Sequence, residues 1–419
     1  MIEITSSKLY DEQATINHVK ALAFRRHAST KGETKCLNYI IQELKKEDIH
    51  PTSEAFEWAN IFTITLKLIF TFLFAYISIY QIILLFPNIT WIILILNLLF
   101  FVIVFFVVKF LFDSTQLRFI GKNKEAKNLI LSFQCKDPIP KRPVIIFSAH
   151  HDTASQRYPM TMIKTFYKCG VLLILIFLIL TFIVSIWSLL TIFLIAQINR
   201  IYYSFRNITF IIGLIILILN LILFANKKSD KSIGSIDNAS GVAILIELAK
   251  LVKKKPLNKT DVLFLWCGAE ERGLWGSRQY CNKHFEELIQ DYDLDKSYNI
   301  NIDMVGTYIG LLDKLGLIKK KNLNDNLNDV LLASAGQQKI TLKKESIKIG
   351  SGSSDHQVFR AYAKKYEKNG FQVSLFSTED DVRYIHSKHD TPDKCSAENL
   401  NYCIEICYNA IKSLDLRVE

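Results

Sequence analysis

The chain is 419 residues long, half of them apolar, with 16 Gly, 8 Pro and 8 Cys. That length is enough for one large folded domain or two ordinary ones, and the composition excludes collagen-like, low-complexity and disulfide-stapled miniature proteins. The 51 Lys and Arg against 40 Asp and Glu leave a net charge of +11, but the basic residues are scattered or flank apolar runs, so no nucleic-acid partner is expected. A mean hydropathy of +0.19 is carried by a few segments only, while the remainder reads as a charged globular protein. The polar start, with Glu3, Asp11 and Glu12, lacks the basic and apolar regions of a cleaved signal peptide.

In chain order, helical periodicity covers 14–28 and 33–47, the second with Leu37, Ile40, Ile41 and Leu44 on one stripe. Two uncharged runs follow, 68–86 and 89–108, joined by Pro87 and Asn88. Short apolar strands are predicted at 128–133 and 144–148, and then a second uncharged pair, 169–196 and 207–226. Each of these four runs meets the requirement of about 20 apolar residues for crossing a bilayer core. Beyond them, helices at 239–254, 273–285, 324–335, 355–367 and 397–414 alternate with strands at 261–266, 298–302 and 371–376. Cys403 and Cys407, one helical turn apart, suit helix packing better than metal binding.

This alternation predicts an α/β fold, a mixed central sheet flanked by helices, interrupted by two transmembrane helical hairpins with four spans. An even number of crossings returns the chain to the same side. One discontinuous domain is therefore expected from residues 1–60, 113–168 and 227–419, with hairpins at 61–112 and 169–226. The reading is of a multi-pass integral membrane protein in contact with lipid. Lys and Arg gather at the domain side of the spans, against Arg200 and Arg206 in the tips, which places the domain in the cytoplasm.

Ligands of such sheets collect at the carboxyl ends of strands. The segments just past the predicted strands are His150-His151-Asp152, Gly268-Ala269-Glu270-Glu271 and Asp303-Met304-Val305-Gly306. Two further clusters are Ser235 to Gly241, ahead of a helix, and His386 to Thr391. Imidazoles and carboxylates without thiolates suit a hydrolytic zinc or similar divalent site.

In this order the clusters resemble the di-zinc aminopeptidases and glutamate carboxypeptidases of metallopeptidase family twenty-eight, clan MH. The family's His-x-Asp stands as His150 to Asp152, its Asp-x-x-Ser-Gly as Asp237 to Gly241, its Glu-Glu as Glu270-Glu271, its Asp-Met as Asp303-Met304 and its last motif as His386 to Thr391. Gly273 to Ser277, Ser354-Asp355-His356 and the opening region with Arg26, Ser29 and Gly32 look like family segments too. The resemblance implies two zinc ions, other divalent ions being possible. His150 and Asp303 would hold one, Glu271 and His386 the other, and Asp237 would bridge them. Asp152 would orient His150, and Glu270 would be the general base acting on a peptide substrate.

Two departures from the family pattern stand out. The second hairpin lengthens the connection between His150 and Asp237, and Ile385 occupies the place where several relatives carry an oxyanion-donating Tyr before the last His. An aminopeptidase is the expected activity. A carboxypeptidase or dipeptidase, with Arg360 or Arg383 pairing a substrate carboxylate, a glutaminyl cyclase-like enzyme and a catalytically inactive membrane scaffold are the alternatives. The sequence leaves the oligomeric state open.

Overall fold

One sheet carries β1 (Thr52–Ala59), β2 (Asn123–Phe133), β3 (Val144–His150), β4 (Asp261–Cys267), β5 (Tyr298–Ile302), β6 (Gly310–Leu315), β7 (Lys321–Asn322), β8 (Lys343–Ser346) and β9 (Gln372–Phe376). These belong to a computed structural model that describes residues 12–111, 115, 117, 119, 121–193, 197–226, 231–316, 320–346 and 353–418. The strand order is β1-β2-β4-β3-β5-β9-β6-β7, with β8 paired to β6. The centre, β4-β3-β5-β9, is parallel, and the flanking pairs β1-β2, β2-β4 and β6-β9 are antiparallel. The expected mixed sheet is therefore present.

Helices cover both faces of the central strands, which is why β3 and β4 are apolar and buried throughout rather than alternating. On one face α1 (Glu12–Ala21), α2 (Lys31–Lys45), α7 (Ser240–Lys254), α9 (Leu327–Gln337) and α11 (Ala397–Asp415) pack with Ile145, Phe147, Phe264, Trp266 and Ile300. On the other, α8 (Trp275–Asp291) and α10 (His356–Lys365) pack with Val144, Ile146, Leu263, Leu265 and Leu375. Phe147 and Phe264 stack at 5.5 Å and Phe264 and Trp266 at 6.1 Å. Each such side chain contributes roughly 1.5–3 kcal/mol by leaving water.

The structure departs from the sequence-based elements in several places. The first helix ends at Ala21 rather than continuing to 28, because Arg26 is drawn into the interior. Its guanidinium donates to the carbonyls of Phe24 (3.1 Å), His151 (2.9 Å), Ile233 (2.9 Å) and Gly234 (2.8 Å), and also to Leu22. Strand β1 escapes the apolar-run test since it is an edge strand in which only Phe56, Trp58 and Ala59 are buried. Asp313 and Lys314 break the pattern of β6 in the same way.

A second compact unit comprises Phe62–Asp113 and Thr161–Lys227, the first being Met1–Ile61, Ser114–Met160 and Lys228–Glu419. Its helices are α3 (Ile61–Leu84), α4 (Ile92–Leu111), α5 (Met160–Ile192) and α6 (Arg200–Phe224). Three stretches, Ile64–Leu84, Met160–Ile192 and Arg200–Phe224, are long and apolar enough to cross a membrane, while α4 counts among the described residues as a shorter apolar helix, Ile92–Phe106. Helix α5 starts nine residues before the uncharged run because Lys164 and Lys168 ride on its first turns. Leu68, Leu98, Phe105, Ile179 and Ile211 are exposed on the outside of the unit, an apolar surface unsuited to water. Its interior is polar in part. Tyr80 donates to Asn97 Oδ1 (2.8 Å), Tyr76 and Tyr80 share a hydrogen bond, and Ser188 donates to the Pro87 carbonyl (2.9 Å). Such bonds select one packing among apolar helices that would otherwise slide.

Candidate active site

Residues from four strand ends and one helix entrance converge. His150 is the last residue of β3, Glu270 and Glu271 follow β4 after a short turn, and Asp303 directly follows β5. Asp237 precedes α7, and His386 lies in the segment after β9. His150 Nε2 is 3.1 Å from Asp237 Oδ1 and 3.2 Å from Asp303 Oδ1. His386 Nε2 is 3.0 Å from Asp237 Oδ2 and 2.9 Å from Glu271 Oε1. The result is two triads, His150-Asp237-Asp303 and Asp237-Glu271-His386, that share Asp237, each with donor atoms within 4.8 Å of one another.

The turns that deliver these groups are held in unfavourable backbone conformations. Ala269, just before Glu270, has φ of 53°, Met304, just after Asp303, has 84°, and His386 itself has 56°. Left-handed backbone at residues with a Cβ costs of order 1 kcal/mol or more and persists only where the surroundings fix it. Asn238 and Ser240 supply part of that fixing. The Asn238 amide donates to the Ile302 carbonyl (2.9 Å) and accepts from Gly241 N (2.9 Å), and Ser240 Oγ accepts from Val305 N (3.1 Å). At Gly241 a Cβ would lie 2.4 Å from the Ile302 carbonyl oxygen, so only glycine lets α7 begin against the end of β5. That approach sets Asp237 beside Asp303. Asp390 accepts from Ile236 N at 2.6 Å and holds the same run from the other side.

Asp152 serves the site differently from a simple partner of His150. Its carboxylate is 3.6 Å from His150 Nδ1, while its own backbone carbonyl is nearer, at 3.1 Å. The carboxylate instead accepts from Glu270 N (3.0 Å) and Glu271 N (3.3 Å). It thereby ties the end of β3 to the Glu270-Glu271 turn and leaves a negative charge beside the His150 ring.

Electrostatics follow from crowding carboxylates in a buried place. Burial pushes Glu270 well above the usual carboxylate range, with Asp303, Glu271 and Asp355 adding to it against the pull of His150. Asp237 would also rise on burial, but hydrogen bonds from His150 and His386 outweigh that and hold it low. Burial opposes charge on His150 and His386, yet the neighbouring carboxylates raise both well above the ordinary imidazole value. The site thus draws positive charge onto the ring nitrogens that face Asp237. A divalent cation satisfies the same demand, and nitrogen and oxygen donors without thiolate suit zinc or a similar ion.

Other candidates fall elsewhere. Ile385 is buried, and Tyr384 packs against the core with its ring 4.7 Å from the Arg383 guanidinium. Arg383 is exposed, and Arg360 lies on the exposed face of α10 in a groove with Asn324 and Lys368. His18 is bound to Glu247 (2.8 Å) and Tyr39 (2.7 Å), and His284 to Glu54 (2.8 Å) and Glu287 (2.8 Å), all structural contacts. The motifs flanking the site meet directly, since Ser277 donates to Asp355 at 2.5 Å and Asn301 to Ser354 at 2.7 Å. Sequence reasoning missed the bracing roles of Asn238, Ser240 and Asp390, although all three stand inside motifs it singled out.

Residues 223–411 match the model of Peptidase family M28. The family resemblance carried by the order of the motifs is borne out over that part of the chain. Aminopeptidase YwaD of Bacillus subtilis (strain 168) is 30% identical over 185 residues, which cover 43% of this chain and 38% of that protein. The chain thus spans well under half the length of this relative. Among solved structures, an aminopeptidase from Aneurinibacillus sp. strain AM-1 aligns with a TM-score of 0.52 at 16% identity, over 96% of this chain and 94% of that one. A glutaminyl cyclase from an Acidobacteriales bacterium gives 0.52 at 16% identity, over 97% and 96%. At such identity the likeness establishes the fold, which both kinds of enzyme share.

The bracing by Asn238 makes a stability prediction that is independent of metal. Asn238→Ala strips partners from the Ile302 carbonyl and Gly241 N–H, both buried, at a cost of about 1–3 kcal/mol. The denaturant midpoint of the metal-free protein should fall accordingly, and an unchanged midpoint would show that these bonds do not hold the two loops together.

Proposed function

We propose that the protein is a membrane-anchored zinc exopeptidase, most simply an aminopeptidase, acting on peptides at a two-metal centre. The observation that carries this reading is the pair of triads sharing Asp237, with Glu270 buried next to Glu271. His150 and Asp303 would hold one ion, Glu271 and His386 the other, and Asp237 would bridge them. When bound, the ions lower the pKa of a coordinated water and polarise the scissile carbonyl. Glu270 is assigned the proton: it takes one from the attacking water and returns it to the leaving amine as the peptide bond breaks. Asp152 supports this by fixing the backbone of both glutamates. The position before His386, where several relatives carry an oxyanion-donating Tyr, is Ile385 here.

A carboxypeptidase or dipeptidase draws less support, because Arg360 and Arg383 are exposed side chains outside both triads. The glutaminyl cyclase alternative shares the fold, and a single bound ion per chain would favour it. A scaffold without activity would need no buried Glu270 beside the triads.

Two substitutions separate binding from chemistry. Glu270→Gln keeps every proposed ligand, so metal content should persist while turnover of peptides with a free N-terminus falls roughly 100-fold to 10,000-fold. Glu271→Gln removes a ligand charge and should lower both. Blocking the peptide N-terminus should abolish turnover by the wild type; equal, mild effects of the two substitutions, or indifference to the block, would contradict the assignment.

For the membrane we propose four spans, two hairpins at 61–112 and 169–226 inserted into one peptidase domain formed by 1–60, 113–168 and 227–419, with that domain in the cytoplasm. Support comes from the three long apolar helices, the apolar α4 and the exposed apolar side chains of their unit. Reporter tags at residue 1, after Phe112 and after Glu419 should share one compartment, the cytoplasm, and a tag between Gln197 and Arg206 the opposite one. A tag after Phe112 that disagreed with the one after Glu419 would refute the topology, since it would separate His150 from Asp237.

A further inference from the structure

Gln156 belongs to none of the motifs, yet it touches His386 twice. Its backbone N–H donates to the His386 carbonyl at 3.0 Å, and its side-chain amide lies 3.1 Å from His386 Nδ1. The preceding residue, Ser155, is buried and accepts through Oγ from Lys231 N (3.0 Å) and Ser232 N (3.1 Å). The segment 155–156 therefore joins His386 to the run that reaches Asp237 a few residues later. Both ends of these bonds lie within the first unit, on either side in sequence of the 161–227 insertion.

We propose that Gln156 is a positioning residue for the triad of Asp237, Glu271 and His386, its carboxamide oxygen accepting the Nδ1 proton of His386. The inference rests on the two-metal reading above. An imidazole whose Nε2 lone pair faces a cation carries its proton on Nδ1, and that proton needs an acceptor. The amide nitrogen stands 3.1 Å from Nδ1, and a half turn of the carboxamide, which exchanges nitrogen and oxygen, puts Oε1 in that place. The ring is then fixed in both tautomer and orientation. His386 needs such support more than His150 does. His150 ends a strand in full register with Cys267, whereas His386 sits in a left-handed turn with φ of 56°. A neutral acceptor also adds no further negative charge to a place already crowded with carboxylates.

The test uses the full chain in detergent, stripped of metal and titrated with zinc against a chromophoric chelator. The wild type should take up two ions. Gln156→Leu fills the space but offers no acceptor, so one of the two affinities should fall about 10-fold to 100-fold while the other stays unchanged. Gln156→Glu restores an acceptor and should bind both ions about as tightly as the wild type. Both variants keep the backbone hydrogen bond from residue 156 to the His386 carbonyl, so each should still unfold cooperatively on heating in the metal-free form. Were the wild type to bind no zinc, the two-metal reading and this inference would fall together. Were it to bind two and Gln156→Leu bind both equally well, or lose both alike while still folded, the inference alone would fall. Equal loss in Gln156→Glu and Gln156→Leu would likewise overturn it.

Discussion

The arrangement depends on the repulsion that Asp237, Glu270, Glu271 and Asp303 would exert on one another without cationic neighbours. All four lie at one end of the sheet with little access to water. Two imidazoles stand between them, each within 3.2 Å of two carboxylate oxygens. Bringing like charges together in a low-dielectric place costs several kcal/mol unless cations or protons intervene. A fold that accepts this cost at the ends of parallel strands, where backbone geometry is most constrained, is suited to holding divalent ions.

The surrounding structure serves that constraint. Arg26, fully buried, ties the opening segment to His151 and Gly234 through backbone carbonyls. Asp390 caps the run before Asp237, and Asn238 and Ser240 brace the Asp303 turn. Each contact links segments far apart in sequence, and each ends on a backbone group within three residues of a proposed ligand. Burial, with Asp237 nearby, pushes Asp390 up to about 7 against the pull of the backbone N–H groups it accepts from.

Much of this was legible in the sequence because chemistry and topology coincide. Strands such as Val144–His150 and Asp261–Cys267 are apolar runs that stop at or a few residues before the proposed ligands, so strand ends and motifs mark neighbouring positions. The apolar helices were legible for a similar reason, length without charge. What escaped was set by long-range contact. The edge strand Thr52–Ala59 buries one face only, and Arg26 ends the first helix by partners more than 100 residues away. Gln156 carries no motif at all, and its closeness to His386 exists only once the sheet has formed. The inserted stretch Thr161–Lys227 hides the relation further by separating Gln156 from Asp237 in the chain.

The most direct test of the shared-carboxylate account is the metal content of the purified protein and of Asp237→Ala, measured by elemental analysis after zinc loading. Because Asp237 belongs to both triads, two ions per chain should fall to none, with the variant still folded. Retention of either ion at full occupancy in Asp237→Ala would contradict a bridged two-metal centre.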